Sequence, residues 1–213
     1  MKTDELIAAL ASHAGAVEPG ALQRRYAMAL GWGAFGTTLL MAILLGVRPD
    51  LAEAARLPMF WVKLAFPAAL FAGALLAVTR LSRPGVRLGR VPGALAAPVL
   101  AMWLLGAIVL LAAAPGERDD LLLGHSWRSC PFTIALLSVP LFGAALWAMK
   151  GLAPTKPALA GGAAGLLAGA GGALVYALYC PEMAAPFIGI WYLLGMLIPA
   201  VLGALAGPRL LRW

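Results

Sequence analysis

The sequence predicts an all-α membrane protein: a bundle of six transmembrane helices with a short cytoplasmic amphipathic helix at its N-terminus. Of its 213 residues, 62% are hydrophobic and only 12% are charged, and the mean hydropathy is +0.90. A soluble domain is typically about 25% charged, so this composition excludes that class. The chain also contains six apolar stretches of about 20 residues, the length of a helix that crosses the hydrocarbon core. Backbone groups in lipid must bond within their own segment, which makes these stretches helices.

The predicted spans are separated by short, more polar loops. They occupy residues Tyr26–Val47, Phe60–Thr79, Val91–Ala114, Pro131–Met149, Ala158–Tyr179 and Phe187–Ala206. This divides the chain into a tail, residues 1–25, and one helical membrane domain, residues 26–213. Asp4 and Glu5 stand where a cleavable signal peptide carries positive charge, so we expect the first span to be retained.

The loops on one side of the predicted bundle hold most of the positive charge. These residues are Lys2, Arg24, Arg25, Arg80, Arg83, Arg87, Arg90, Lys150, Lys156, Arg209 and Arg212. The other side holds Arg48, Arg56, Arg118 and Arg128. Because Lys and Arg accumulate in cytoplasmic loops, both termini are predicted to face the cytoplasm. The net charge of +7 is then explained by orientation and by contact with the lipid bilayer, without a nucleic-acid partner.

Several features inside the spans predict how the helices pack. Gly161, Gly165 and Gly169 share one face of the fifth span, which favours close packing within the bundle over a dimer interface. Pro67 and Pro140 are expected to bend the second and fourth spans. Lys63 is expected to extend its charge to the outer interface. An outer aromatic belt is predicted from Trp61, Trp127, Trp191 and Tyr192.

The two cysteines of the chain, Cys130 and Cys180, are each followed by proline. They lie at the start of the fourth span and the end of the fifth, which are antiparallel neighbours, so both thiols are predicted at the outer ends of these spans. Proline restricts the residue before it and begins or ends the helix there, which fixes each thiol at a helix corner. The pair could form a disulfide in an oxidising compartment. Alternatively it could bind a soft metal ion together with His125, Glu182 or Met183.

The tail sequence "TDELIAALASHAG" predicts one short amphipathic helix. Asp4 and Glu5 favour its N-terminal end, and Leu6, Ile7 and Leu10 form an apolar stripe. This stripe could lie on the membrane, pack on the bundle or dock into a partner's groove, and the pattern alone favours none of the three.

Four segments resemble the NrsF family, six-span inner-membrane anti-sigma factors of proteobacteria. They are "MKTDELIAALA", "SWRSCPFTIALLSVP", "LAPTKPALAGGAAGLLAGAGGALVYALYCPE" and "FIGIWYLLGMLIPAVLGALAGPRLLRW", and together they extend over essentially the whole chain. The resemblance implies an anti-sigma factor that sequesters an extracytoplasmic-function sigma factor and is not an enzyme. It also implies that two periplasmic cysteines, here Cys130 and Cys180, sense heavy-metal or oxidative stress.

The resemblance further implies where a partner and a ligand bind. Sigma-factor binding corresponds most closely to the tail around Asp4, Glu5, Leu6, Ile7 and Leu10. No cofactor-binding fingerprint is present, so a transient heavy-metal ion at Cys130 and Cys180 is the only ligand expected. A second hypothesis is a transporter for small solutes or metal ions, with Lys63, Met183 and the thiols lining its entrance. A third makes the cysteine pair a structural disulfide.

Overall fold

The fold is all-α. A computed structural model describes residues 3–13, 20–83, 85–152 and 154–212, and these contain helices and turns without a strand. The α-helices are α1 Thr3–His13, α2 Ala21–Leu44, α3 Leu51–Ala54, α4 Pro58–Leu81, α5 Val91–Ala112, α6 Arg118–Leu123, α7 Cys130–Leu137, α8 Val139–Met149, α9 Pro157–Tyr176, α10 Ala185–Phe187 and α11 Leu193–Leu210. A 3₁₀ turn at Pro115–Glu117 precedes α6, and a π-helical turn at Ile188–Tyr192 joins α10 to α11.

Five helical segments are long and apolar enough to cross a membrane. They are α2, α4, α5, α9 and the continuous stretch Ala185–Leu210, and the bent pair α7–α8 makes a sixth if it is one span. Each predicted span thus has a helical counterpart, although α2 begins at Ala21, ahead of the predicted Tyr26. The fold is that of a membrane protein with five or six spans, in agreement with the composition.

The fourth predicted span is two helices instead of one. Helices α7 and α8 meet at Ser138 with a bend of 43°. Pro140 supplies no N–H to the carbonyl one turn earlier, so the hydrogen-bond ladder is interrupted here. The nearly fully buried Ser138 donates its hydroxyl to the carbonyl of Ala135 at 2.6 Å. The bend expected at Pro140 is confirmed.

Helices α9 and α11 make the closest backbone contact of the bundle. A Cβ atom built on Gly161 would overlap the carbonyl of Gly203, and one on Gly165 would overlap the carbonyl of Pro199. Gly169 faces Met196 in the same way. The glycine face therefore packs inside the bundle, as predicted, and α9 is the most enclosed of the long helices.

The long helices place two sets of loops at opposite ends of the bundle. At the cysteine end, defined by Cys130 and Cys180, lie the segments 45–57, 113–129 and 177–184. At the basic end, defined by the loop 82–90, Tyr26 and Ser82 share a hydrogen bond of 2.5 Å. Arg25 there donates to the carbonyls of Trp147 and Lys150, each at 2.8 Å. The bundle thus has two ends of different chemistry.

The N-terminal helix forms where the sequence predicts it. Helix α1 carries Asp4 and Glu5 in its first turn, and the side chains of Asp4, Glu5 and Ile7 are exposed. The remaining predicted stripe residues, Leu6 and Leu10, have side chains outside the described part, so the amphipathic face stays a prediction.

The contact between α9 and α11 predicts a sharp difference between two glycine-to-alanine changes. Gly165→Ala should destabilise the bundle by about 1–3 kcal/mol, because its new methyl group overlaps the Pro199 backbone. Gly31→Ala is the matched control, since a Cβ there meets nothing within 4 Å. Thermal unfolding of the purified protein in detergent measures the stability of both variants. Equal unfolding temperatures for the two variants would contradict the close packing of α9 on α11.

Candidate functional site

Cys130 and Cys180 lie together at one end of the bundle. Both are free thiols, both side chains are 0% exposed, and both belong to one hydrophobic cluster with Tyr176 and Tyr192. The prediction that the two cysteines come together at the same end of the bundle is confirmed. The thiols are enclosed by the protein and do not face solvent.

The local sequence fixes each cysteine at a helix boundary. Cys130 is the first residue of α7, its N–H donates to the carbonyl of Ser126 at 2.9 Å, and Pro131 occupies the next position, where no N–H is needed. Cys180 closes the turn that follows α9, its N–H donates to the carbonyl of Tyr176 at 3.0 Å, and Pro181 prevents a further helical turn. The two Cys-Pro steps thus position the thiols on opposed helix ends.

Two buried tyrosines complete the polar interior of this cluster. Tyr176 belongs to the same buried cluster as both thiols, and its hydroxyl interacts with each of them. Its ring packs against Tyr192, with 5.7 Å between the centroids. The Tyr192 hydroxyl is fully buried in the same cluster as Cys180 and has no hydrogen-bond partner among the described residues. The thiols are therefore enclosed by apolar side chains and two buried tyrosines.

Lys63 is the unexpected member of the site. Its side chain is 0% exposed, and its Nζ donates to the carbonyls of Cys180 at 2.6 Å and Glu182 at 2.9 Å. The same ammonium lies 5.6 Å from the ring centroid of Tyr192. The expectation that Lys63 reaches the outer interface is wrong, because the backbone carbonyls at the cysteine end satisfy its charge inside the bundle.

Arg48 provides a second cationic contact to the same segment. Its Nη1 donates to the Cys180 carbonyl at 3.4 Å, and its backbone N–H donates to the Leu178 carbonyl at 3.3 Å. Its Nε and Nη2 hold the Asp50 carboxylate at 2.7 and 2.6 Å. This pair raises the pKa of Arg48 and lowers the pKa of Asp50 from their usual values. The arginine is thereby kept charged and oriented beside Cys180.

Glu182 ties the segment after Cys180 to the loop before Cys130. Its Oε1 accepts the backbone N–H of His125 at 2.8 Å and faces the Ser126 hydroxyl at 3.5 Å. Gly124 adopts φ +54 here, and a Cβ on it would collide with the Glu182 carboxylate. The segment 180–184, which we call the Cys180 segment, is therefore held in place by Lys63, Arg48 and Glu182.

The additional metal ligands proposed from sequence occupy different surroundings. The His125 side chain is fully exposed, with Nδ1 3.8 Å from Glu182 Oε1. Met183 is half-buried in the Cys180 segment. No group of three His, Cys, Asp or Glu side chains suited to a metal ion occurs within the described ranges. Participation of His125, Glu182 or Met183 in metal binding stays a prediction.

The predicted aromatic belt is correct in part. Trp61 is exposed, with its Nε1 bonded to the Ala55 carbonyl at 2.9 Å, and Trp127 packs on Trp191 at 5.3 Å. Tyr192 does not belong to the belt, because it is fully buried beside Cys180 and Lys63. Tyr192 is the last residue of the π-helical turn Ile188–Tyr192, a feature that sequence hydropathy does not reveal.

The arrangement suits two reactions of a dithiol. Two enclosed thiols can lose two protons and two electrons to an external oxidant and form one disulfide. They can also lose protons and bind a soft cation, which thiolate ligands select. Both reactions would alter a segment that three side chains hold in place.

These features define the class of the protein: a polytopic helical membrane protein with an enclosed dithiol at one end. The family profile described as "NrsF: Negative regulator of sigma F" matches residues 10–213. The chain is 60% identical to the "Probable anti-sigma-F factor NrsF" of Azospira oryzae and 42% identical to the "Anti-sigma-F factor NrsF" of Caulobacter vibrioides, in both cases over the whole length of both chains. No solved structure matches. The chain belongs to the NrsF family, and its role is regulatory, not catalytic.

The contacts of Lys63 predict that it controls access to the thiols. Lys63→Met removes two hydrogen bonds from a charged donor, each worth about 1.5–3 kcal/mol, so the Cys180 segment should open more often. Maleimide labelling of Cys180 in native membranes is expected to become at least tenfold faster. Lys150→Met, an exposed lysine at the basic end, is the matched control and should leave the rate unchanged. Equal rates for the two variants would refute this role for Lys63.

Proposed function

We propose that this protein is an inner-membrane anti-sigma factor that binds an extracytoplasmic-function sigma factor and releases it when Cys130 and Cys180 react. Heavy-metal ions or oxidants are the proposed signals. The two relatives named anti-sigma-F factors support the anti-sigma role. The observation that supports sensing is the enclosure of both thiols in one cluster around Tyr176.

The proposal uses a six-span topology with both termini in the cytoplasm. The bent pair α7–α8 is then one span, which places the cysteine end in the periplasm and the basic end in the cytoplasm. Support comes from the loop 82–90, where Arg83, Arg87 and Arg90 are exposed. The thiols would thus face the oxidising compartment, and the tail would face the transcription machinery.

The proposed binding segment for the sigma factor is α1. Ile7 is 59% exposed at this cytoplasmic helix, and Asp4 and Glu5 add negative charge beside it. Leu6 and Leu10 complete the predicted apolar stripe, so a groove on the sigma factor would receive this face of the helix. The family profile begins at residue 10 and so leaves out most of α1, whereas the two relatives align with the whole chain, α1 included.

Under oxidative stress the signal would be a disulfide between Cys130 and Cys180. Each thiol loses its proton, one S–S bond forms, and the external oxidant accepts two electrons. The bond would draw the start of α7 towards the turn after α9 and compete with the present fastening of the Cys180 segment by Lys63. Reaction first requires that segment to open, because both sulfur atoms are fully buried.

Under heavy-metal stress the signal would be an ion shared by the two thiolates. A soft cation that accepts two sulfur ligands fits this pair better than tetrahedral zinc, which needs four. His125, Glu182 and Met183 lie on the adjoining segments and are the proposed additional ligands if the site rearranges around the ion.

Helices α9 and α11 would transmit the change to the basic end. Helix α7 packs on both of them near the cysteines, and their glycine contact continues to Gly207 and Pro157 at the other end. A coupling of about 1–3 kcal/mol would change sigma-factor affinity about 5–150-fold. This range is sufficient for a transcriptional switch.

The transporter hypothesis receives no comparable support. Both whole-length relatives are named anti-sigma factors, and the Lys63 ammonium already binds two backbone carbonyls of the Cys180 segment. The regulatory function is therefore the one we put forward.

Cys130→Ser combined with Cys180→Ser should abolish induction of a sigma-dependent reporter by oxidant or soft metal while leaving basal repression intact. Serine keeps the size of the side chain but forms neither a disulfide nor a soft-metal site. Ser129→Ala, at an exposed hydroxyl beside Cys130, is the control and should respond normally. A normal response in the double variant would reject sensing and leave the pair a structural role.

Asp4→Asn combined with Glu5→Gln should reduce the amount of sigma factor that co-purifies with the membrane protein at least fivefold, because α1 loses its negative face. The matched control is Asp119→Asn with Asp120→Asn, which removes two exposed carboxylates at the cysteine end. Quantitative mass spectrometry of the affinity-purified protein measures the ratio of sigma factor to membrane protein. Undiminished sigma factor in the tail variant would exclude these carboxylates from the interface.

A further inference from the structure

An apolar crevice separates the start of α5 from α9 and α11. Its cavity of about 400 Å³ is lined by apolar residues of four helices, among them Leu81, Pro92, Leu95, Gly162 and Val201. Helix α5 packs mainly on α4 and on the segment around α10, which leaves this side of its N-terminal half uncovered. The crevice therefore lies at membrane depth and opens to the surrounding lipid.

The crevice continues along α5 towards the cysteine end. A second cavity of about 360 Å³ shares Pro92, Leu95 and Leu166 with the first and extends to Leu193 on α11. From Ala204, which lines the first cavity, to Leu193 the helix rises about 16 Å. This is about half of the ~30 Å hydrocarbon core, so the crevice has the length of one leaflet.

A basic cleft adjoins the crevice where it reaches the end of the bundle. This cleft of about 390 Å³ shares Leu81 and Leu88 with the apolar cavity, and its charged lining residues are Arg83, Arg87 and Lys156. No carboxylate occurs among its described lining residues. One continuous surface thus carries three cations at its mouth and apolar walls along one leaflet.

We propose that this surface is a binding site for one anionic phospholipid molecule. Arg83, Arg87 and Lys156 bind the phosphate-containing headgroup, because guanidinium groups match phosphate oxygens and lysine adds a point charge. An acyl chain occupies the crevice between α5 and α11, which fits its length and its lack of polar groups. Basic pockets between membrane helices bind anionic headgroups in this manner. The proposal is independent of sigma-factor binding and of the thiols.

Native mass spectrometry of the full-length protein in detergent tests the proposal with phosphatidylglycerol and with phosphatidylcholine as the zwitterionic comparison. The protein is expected to retain phosphatidylglycerol preferentially. Arg83→Gln, Arg87→Gln and Lys156→Gln together should weaken that binding at least tenfold. The matched triple Arg90→Gln, Arg209→Gln and Arg212→Gln removes three exposed charges from the same end and should change it less than twofold.

Ala158→Phe tests the apolar part of the site separately. Ala158 lines the crevice and is itself exposed, so a larger side chain can enter the crevice without disturbing the core, and lipid retention should fall. Equal retention of the two lipids, or equal effects of the two charge triples, would overturn the proposal in favour of general surface attraction. A lipid-free dimer that Ala158→Phe disperses would overturn it in favour of a second copy of the chain.

Discussion

The buried ammonium of Lys63 is the interaction on which the cysteine end depends. A lysine inside a membrane helix costs about 2.5–3.5 kcal/mol, and two hydrogen bonds from a charged donor offset a cost of this size. Both acceptors belong to the Cys180 segment, which has no regular structure of its own. The position of that segment, and with it the position of the Cys180 thiol, depends on this charge together with the contacts of Arg48 and Glu182.

The second constraint is the backbone contact between α9 and α11. Because glycines bring these helices together without intervening side chains, the two helices cannot shift independently by more than small amounts. Helix α7, which begins at Cys130, is shorter and ends at the bend near Ser138. The rigid pair of helices, α9 and α11, extends from the cysteine end to Gly207 and Pro157 at the basic end.

Sequence patterns predicted the long helices and the meeting of the two cysteines. Apolar length predicted the long helices, the antiparallel order of consecutive helices put Cys130 and Cys180 at one end, and Pro140 marked the bend between α7 and α8. The glycine spacing in α9 also identified a packing face, because small residues four apart have few other uses in a membrane helix.

The interior of the site was not predictable in the same way. A membrane helix is apolar on all sides, so hydropathy does not show which face of α4 is inside. Lys63 lies on the same face of α4 as Leu70 and Ala77, seven residues apart, and both of these are buried. This spacing was the sequence feature that could have indicated a buried position for Lys63. Tyr192 is buried within a π-helical turn. The carbonyls that accept the Lys63 hydrogen bonds belong to a segment without helical structure, so no periodic sequence pattern marks them.

The central claim is that Cys130 and Cys180 form one reactive site within a single chain. Disulfide mapping by mass spectrometry, after native membranes are treated with a mild oxidant, tests it most directly. The account predicts a linked peptide pair containing Cys130 and Cys180 of the same molecule. Recovery of both cysteines only as separate oxidised peptides, or as links between two chains, would contradict it.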